Sequence, residues 1–369
     1  MARLLYLVSE DWYFLSHRLP MARAARAAGY EVHVATRVVK GGADIIAEGF
    51  QLHPLEWRRG STNPFDFFNA IAEVRRVYRT LAPDLVHQVA LWPVIVGSAA
   101  GLGLPIKRLS ALTGLGFAFT SNSFKARTVR AILRPVLRWL LNGPYSAVLV
   151  QNTDDHVLMT DIGIDRSRLF IIPGSGVDTK RFRPLPEPAG PITMAYVGRL
   201  LADKGLRSLI SAQALLAARE NTVRLLIAGD ADPANPASIP PQEVDAWRRQ
   251  PGVEILGHVP DINTVWSRAH IAVLTSRREG LPKSLLEAAA CGRPIVATDV
   301  PGCREVARIG VNALLVPVDD VMALADAIAQ LANDSGLRER FGAAGHALVD
   351  REFSSERIGT ETVELYHAL

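Results

Sequence analysis

Two carboxylates, Glu279 and Glu287, stand on either side of a Gly-Leu-Pro turn in the run Arg278-Glu279-Gly280-Leu281-Pro282-Lys283-Ser284-Leu285-Leu286-Glu287-Ala288-Ala289-Ala290-Cys291-Gly292. An apolar stretch, Ile271 to Thr275, precedes the run, and another, Ile295 to Ala297, follows it. Strand, Gly-Pro turn, short helix, glycine stop and strand make one βαβ step of a parallel sheet. Such a step puts the loop and the helix N-terminus at the carboxyl edge of the sheet, where open α/β folds bind ligands. A fully helical span between the two glutamates would measure roughly 12 Å, so one carboxylate can serve each end of a small polar ligand. Glu is also a good helix former, and Glu287 gains weight only from its setting in a Leu- and Ala-rich helix closed by Cys291-Gly292-Arg293-Pro294.

A second constellation lies upstream. The apolar stretch Ile192 to Val197 runs into Gly198-Arg199-Leu200-Leu201-Ala202-Asp203-Lys204-Gly205, and a helical pattern follows from Leu206 to Arg219. A turn carrying Arg and Lys beside a helix N-terminus is a ready anion site. The next strand, Val223 to Ala228, ends in Gly229-Asp230-Ala231-Asp232. An Asp-x-Asp triplet suits Mg²⁺ or Mn²⁺. Here the cationic pair already supplies counter-charge, and Pro233, Pro236, Pro240 and Pro241 mark a surface loop, so no metal is expected. Val253 to Leu256 and then Gly257-His258-Val259 form the next strand and turn.

Glu279, seven residues and Glu287 resemble the E-x7-E element of family-4 retaining glycosyltransferases, and the flanks through Ile295-Val296-Ala297-Thr298 fit that family closely. The resemblance implies an α/β chain of the GT-B type, two Rossmann-like doubly wound domains facing an interdomain cleft. It implies transfer of a hexose or N-acetylhexosamine from a nucleotide sugar, with UDP as the expected nucleotide, and needs neither cofactor nor metal. Arg199 and Lys204 match the positions that neutralise the donor diphosphate and, with Glu279, form the expected catalytic set. Glu279 would bind donor-sugar hydroxyls, and the stretch Gly280, Leu281, Pro282, Lys283 would approach the diphosphate or sugar. Glu287 would accept hydrogen bonds from the ribose hydroxyls, a task suited to an acceptor-only carboxylate. The turn at His258 and Val259 would contact the base. No enzyme nucleophile is evident, and the family implies retention by front-face attack in which the leaving phosphate helps take the acceptor proton. Ser61-Thr62-Asn63-Pro64-Phe65, Gly114-Leu115-Gly116 and Pro301-Gly302-Cys303-Arg304-Glu305 resemble one branch, the undecaprenyl-diphosphate-sugar glycosyltransferases such as the bacterial N-glycan α-1,3-N-acetylgalactosaminyltransferase. That branch implies a polyprenyl-diphosphate-linked sugar as acceptor.

The elements that must position these groups follow from length and punctuation. The chain has 369 residues, almost half of them apolar, which suits two domains with their own cores. Pro173-Gly174-Ser175-Gly176-Val177-Asp178 and then Pro184, Pro186, Pro188 and Pro191 mark the boundary. Residues 1–183 with about 353–369 are expected to form the acceptor-binding domain, 184–191 the linker and 190–352 the nucleotide-sugar domain. The return of the terminal segment to the first domain rests on the resemblance alone.

In the first half, Leu4 to Val8, a loop from Ser9 to Arg18, a helix from Leu19 to Ala28 and Val32 to Thr36 read as β-loop-α-β. The loop has no glycine to admit phosphate by backbone alone, leaving Ser16, His17 and Arg18 as acceptor-facing candidates; Arg18 reads equally as a solvated helix cap. Asn63-Pro64 opens a helix to about Leu81. Asp84 to His87 and Ile106 to Ala111 are strands. His87 is either an acceptor-site group or structural, and Gly114 and Gly116 either shape a turn or let backbone approach an acceptor diphosphate.

Charge is divided unevenly. Residues 1–185 hold 23 Lys/Arg against 14 Asp/Glu, and residues 186–369 hold 18 against 23. From Phe124 to Asn142 a helical pattern places Arg127, Arg130, Arg134 and Arg138 on one face and Val129, Leu133, Val136, Leu137 and Leu140 on the other, with a kink or break at Pro135. Either this is a core-packed helix with a solvated basic face, or the arginines form a strip against anionic lipid. No aromatics alternate with them as in a single-strand nucleic-acid groove, so the membrane surface is expected as partner and nucleic acid is not. No signal peptide is apparent. The uncharged stretch Gln88 to Ile106 contains Pro93 and glycines, and Cys291 and Cys303 lack metal spacing. A cytoplasmic protein, peripheral on the inner membrane, is the expectation. The rival functions are a sugar-nucleotide hydrolase or epimerase on the same fold and a non-catalytic lipid-binding adaptor.

Overall fold

The computed structural model describes residues 1–57, 63–113, 124–232, 235 and 237–369, with the side chains of 125 and 126 outside the description. The chain divides into two compact units, Met1–Ser175 with Ser355–Leu369, and Gly176–Ser354.

The first unit is built on a parallel sheet in the order β3-β2-β1-β4-β5-β6-β7. The strands are β1 (Arg3–Glu10), β2 (Glu31–Arg37), β3 (Gln51–Pro54), β4 (Leu85–Val89), β5 (Lys107–Leu112), β6 (Ser146–Val150) and β7 (Leu169–Ile171). Successive residues of a strand point to opposite faces, and β1 is apolar on both. Leu4, Tyr6 and Val8 pack with Phe14, Met21 and Ile358, whereas Leu5 and Leu7 pack with Val74, Tyr78 and Val96. The helix Leu19–Ala27 and the terminal helix Ser355–Ala368 cover the first face, and Pro64–Leu81 and Leu91–Ala100 cover the second. The Asn63 side chain accepts a hydrogen bond from the Phe65 N–H at 3.0 Å, the cap that the Asn-Pro pair encodes.

The second unit carries a parallel sheet in the order β10-β9-β8-β11-β12-β13. Its strands are β8 (Thr193–Val197), β9 (Arg224–Ala228), β10 (Val253–Gly257), β11 (Ile271–Leu274), β12 (Ile295–Thr298) and β13 (Ala313–Val316). After β8 the chain builds outward through β9 and β10, then returns to the other side of β8 at β11. That reversal makes the β8–β11 boundary the topological switch point, where the loops leaving two neighbouring strands part and open a crevice. The stretch 184–191 lies along this unit: the Leu185 N–H donates to the Cys291 carbonyl at 3.1 Å, and Arg293 Nη2 donates to the Pro186 carbonyl at 2.8 Å.

Three expectations are corrected. The stretch from Ser9 to Arg18 is not a loop, because Asp11–His17 is helical. The Asp11 carboxylate fixes it from a distance, with Oδ2 accepting the N–H groups of Val39, Lys40 and Gly41 at 2.8, 2.9 and 2.6 Å. Burial alone would raise the Asp11 pKa, yet these backbone donors outweigh it and hold the carboxyl below its usual value. Second, of the kink or break expected at Pro135 the break does not occur, because the helix Phe124–Leu141 continues through it. Pro135 is exposed, so water can meet the carbonyl that loses its helical partner. Third, Val129 faces solvent; the buried stripe is Leu137, Leu140 and Leu141.

The terminal helix is integral to the first core, so Ile358→Ala is expected to destabilise the first unit by about 2–5 kcal/mol, the usual range for emptying a buried Ile site. Urea unfolding followed by a probe in that unit, such as hydrogen exchange along β1, measures it. A shift confined to the second unit would contradict the assignment.

Candidate functional site

The carboxyl edge at the β8–β11 switch point gathers most of the sequence-derived candidates of the second half. Lys204 ends a short 3₁₀ turn, Ala202–Lys204, and Gly205 begins the helix Leu206–Ala218. Gly205 has φ +70°, and a Cβ there would overlap the Thr275 carbonyl oxygen, so only glycine lets this turn abut the end of β11. The Thr275 hydroxyl donates to the Lys204 carbonyl at 3.0 Å, and the Arg277 N–H donates to the Asp203 carbonyl at 2.9 Å. Two turns distant in sequence are thereby stitched side by side.

Across that seam Lys204 Nζ meets Glu279 Oε1 at 2.5 Å. The Ser276 hydroxyl donates to the same oxygen at 2.6 Å. Glu279 and Gly280 are backed by Gly302, whose φ is +78° and where any Cβ would run into their carbonyl oxygens. Arg199, on the turn after β8, binds Asp232 through Nη1 at 2.8 Å, while its own carbonyl accepts the buried Tyr196 hydroxyl at 3.0 Å. Asp232, the second carboxylate of the Asp-x-Asp triplet, is thus engaged with a cation.

Leu281 and Pro282 lead into the helix Lys283–Ala290, whose N-cap residue Pro282 makes no side-chain cap hydrogen bond. Glu287 is 7% exposed and has Lys283 Nζ 3.6 Å from Oε1. Burial raises the Glu287 carboxyl above its ordinary range, with the Lys283 and Arg181 charges pulling the other way. Arg181 itself pairs with Asp261 at 3.0 Å. His258 is exposed and Val259 half-buried, both just beyond β10, whose Gly257 carbonyl accepts the Gly229 N–H at 2.7 Å. Both cysteines are buried, and burial pushes the Cys291 thiol up to about 12 and Cys303 well above its usual value. Neither is a thiolate at neutral pH.

In the first unit the acceptor-side candidates separate. Ser16 and His17 stay together at the end of the helix Asp11–His17: Ser16 Oγ lies 2.6 Å from His17 Nδ1, and the His17 ring stacks on Tyr13 at 4.3 Å. Tyr13 in turn donates to Thr113 Oγ1 at 3.2 Å. Arg18 is not a solvated cap, since it is 1% exposed, and the one hydrogen-bond partner of its side chain among the described residues is the Met21 sulfur, 3.3 Å from Nη1. His87 is inside the sheet, aligned with Tyr6 across the β1–β4 pair. Its Nδ1 lies 2.6 Å from the Tyr366 hydroxyl, which lies 2.8 Å from that of Tyr6. Burial, aided by the Arg18 charge, holds the His87 pKa well below the usual histidine value, so the ring is neutral. Gly114 and Gly116 lie outside the described residues.

Thr275, Ser276 and Asp232 belong to the site's geometry but not to the set drawn from sequence. A Thr-Ser pair at the carboxyl end of an apolar strand was the available signal, since hydroxyls there face the ligand edge.

Residues 191–334 match the family model described as glycosyl transferases group 1, and residues 3–152 match the one described as glycosyl transferase 4-like. The chain belongs to these glycosyltransferases. It is 28% identical to EpsD of Bacillus subtilis over 99% of this chain and 96% of that protein. It is 25% identical to the N,N'-diacetylbacillosaminyl-diphospho-undecaprenol alpha-1,3-N-acetylgalactosaminyltransferase of Campylobacter jejuni, over 88% of this chain and 90% of that enzyme. Among solved structures, HepE of Anabaena, crystallised with UDP and glucose, superposes over all of both chains with a TM-score of 0.80 at 18% identity. The architecture of this glycosyltransferase is therefore the GT-B fold, as the E-x7-E element implied.

A carboxyl whose pKa rises on folding supports the folded state fully at acid pH, and that support is lost as pH climbs through the raised value. Glu287→Gln, which cannot ionise, should therefore raise the melting temperature at about pH 7.5 and change it little near pH 4. Thermal denaturation at the two pH values measures this; an equal change at both would remove the buried charge as its cause.

Proposed function

We propose that this glycosyltransferase transfers a hexose or N-acetylhexosamine from a UDP-sugar, with retention, to a polyprenyl-diphosphate-linked sugar in the assembly of a cell-surface polysaccharide or glycan. The observation that carries the donor half is the meeting of Lys204, Arg199, Glu279 and the N-terminus of Lys283–Ala290 at one switch point. Lys204 and Arg199 bind the diphosphate, whose charge grows as the bond from C1 of the sugar to the β-phosphate oxygen breaks. The helix end adds fixed positive potential at the same edge. Glu287 accepts from the ribose hydroxyls, Glu279 from the donor sugar, and the turn at His258 and Val259 touches the base. The acceptor hydroxyl adds to C1 on the face the phosphate leaves, and its proton passes to the departing phosphate oxygen. The new glycosidic bond and UDP are the products, with no covalent sugar-enzyme intermediate. The UDP held by the structural relative HepE supports the choice of nucleotide, and the named substrate of the Campylobacter relative supports the acceptor class.

The acceptor half belongs to the first unit, near Ser16 and His17. We place the protein peripherally on the cytoplasmic face of the inner membrane, through the helix Phe124–Leu141. Its outer side exposes Phe124, Ile132 and Trp139 at 84, 62 and 65%, among the exposed Arg127, Arg134 and Arg138. Apolar side chains that enter the headgroup region beside cations that meet anionic lipid are the chemistry of an interfacial helix. No helix among the described residues is long and apolar enough to cross a membrane.

A screen of UDP-sugars with mass detection of an elongated polyprenyl-diphosphate sugar tests the reaction. Turnover without acceptor would replace it with hydrolysis or epimerisation, and failure to bind UDP by calorimetry would end the donor reading. Arg199→Ala and Lys204→Ala should each lower kcat by roughly 10²–10³-fold, as for loss of one preorganised donor to a developing charge. Ile132→Ser with Trp139→Ser should cut binding to vesicles containing phosphatidylglycerol severalfold, and unchanged cosedimentation would detach this helix from the membrane.

A further inference from the structure

The two carboxylates of the E-x7-E element present different numbers of open oxygens. Glu279 Oε1 accepts two hydrogen bonds at once, from Lys204 Nζ at 2.5 Å and Ser276 Oγ at 2.6 Å. Glu279 Oε2 takes none from any described residue. Glu287, by contrast, has a single ion-pair partner among the described residues, the Lys283 ammonium 3.6 Å from Oε1. A carboxylate with both oxygens open can receive a pair of neighbouring hydroxyls, one on each oxygen, whereas one with a saturated oxygen meets the ligand through its other oxygen alone.

What saturates Oε1 is held from behind. Ser276 is fully buried, and its carbonyl accepts the hydroxyl of Thr298 at the end of β12. The neighbouring Thr275 is tied to Lys204, and Arg277 to Asp203. The Ser276 hydroxyl is therefore a donor on fixed backbone, while the Lys204 ammonium sits on a flexible four-carbon stem that cannot orient a carboxylate by itself.

We propose that Ser276 is a positioning residue for recognition of the donor sugar: it turns the Glu279 carboxylate so that Oε1 is filled and Oε2 is the oxygen offered to the hydroxyl or amide N–H donors of the sugar. The inference rests on the reading of Glu279 as the donor-sugar ligand and adds what sets its geometry and valence. It routes the Glu279 contact through one oxygen, so the carboxylate does not grip an adjacent pair of sugar hydroxyls, one on each oxygen. It also ties sugar recognition to Lys204, because the bond that leaves Oε2 open is the one that seats the cation.

The test uses the full chain, with UDP and the tightest-binding member of a panel of UDP-glucose, UDP-galactose, UDP-N-acetylglucosamine and UDP-N-acetylgalactosamine as probes in calorimetry. Ser276→Ala should weaken the UDP-sugar by roughly 10-fold, the effect of one hydrogen bond to a charged group, and leave UDP unchanged. In a Glu279→Gln background the same substitution should cost nothing further, because both changes disable one contact. Equal losses for UDP and UDP-sugar, or full additivity, would reduce Ser276 to a general structural role and overturn the proposal. A loss in Glu279→Gln without one in Ser276→Ala overturns this inference alone. Unchanged UDP-sugar affinity in Glu279→Gln overturns it together with the donor reading. A crystal structure of Ser276→Ala gives a readout independent of any ligand: the Glu279 carboxylate should rotate away from Lys204, and an unmoved carboxylate refutes the positioning.

Discussion

The hydrogen bond between Lys204 and Glu279 joins residues 75 positions apart, and it exists because two turns are pressed edge to edge at the switch point of a parallel sheet. An ammonium on a long stem has little geometry of its own. Here it borrows geometry from a carboxylate, the carboxylate borrows from the Ser276 hydroxyl, and the Ser276 carbonyl is fixed by Thr298. Order passes from β12 through the end of β11 to the turn after β8. Gly205 is the constraint beneath all of it, since any side chain there would push the two turns apart and leave the cation without a seat.

The two cations differ in how firmly they are held. Lys204 and Glu279 are largely enclosed, at 21 and 13% side-chain exposure. Arg199 and Asp232 are more open and use one guanidinium nitrogen. An ion pair in that setting is worth about 0–1 kcal/mol, so an arriving anion can share or replace Asp232 at small cost. Pairing also offsets the repulsion that cations gathered near a helix N-terminus would exert on each other and on the dipole. The buried Glu287 carries the opposite burden: its charge is costly without donors, which makes the site favour a ligand that brings hydroxyls.

Much of this was legible in the residues. Gly- and Pro-punctuated apolar runs marked the βαβ steps, and the turns that carry Arg199, Lys204 and Glu279 do leave the carboxyl ends of β8 and β11. The misses share a physical origin, contact between segments far apart in sequence. The helix Asp11–His17 has no capping side chain at Glu10; its anchor is the Asp11 carboxylate reaching the N–H groups of Val39 to Gly41. Arg18 looks like a surface cap beside its neighbours, and only the assembly of β1, β4 and the terminal helix around Tyr6, His87 and Tyr366 takes it inside. In Phe124–Leu141 the apolar residues allow two stripes, and the docked helix buries Leu137, Leu140 and Leu141 while leaving Val129 and Ile132 out. Ser276 carried only a weak mark, its place beside Thr275 at a strand end, because small hydroxyl residues are ordinary there.

The terminal helix Ser355–Ala368 completes the core that the helix Leu19–Ala27 begins. On the ribosome these partners emerge far apart in time, with the whole second unit made between them. At the usual elongation rates Met21, Ala22 and Ala25 wait on the order of tens of seconds for their cover. The sheet made before the second unit is thus sealed after it, and during that interval its apolar flank is a natural client surface for chaperones.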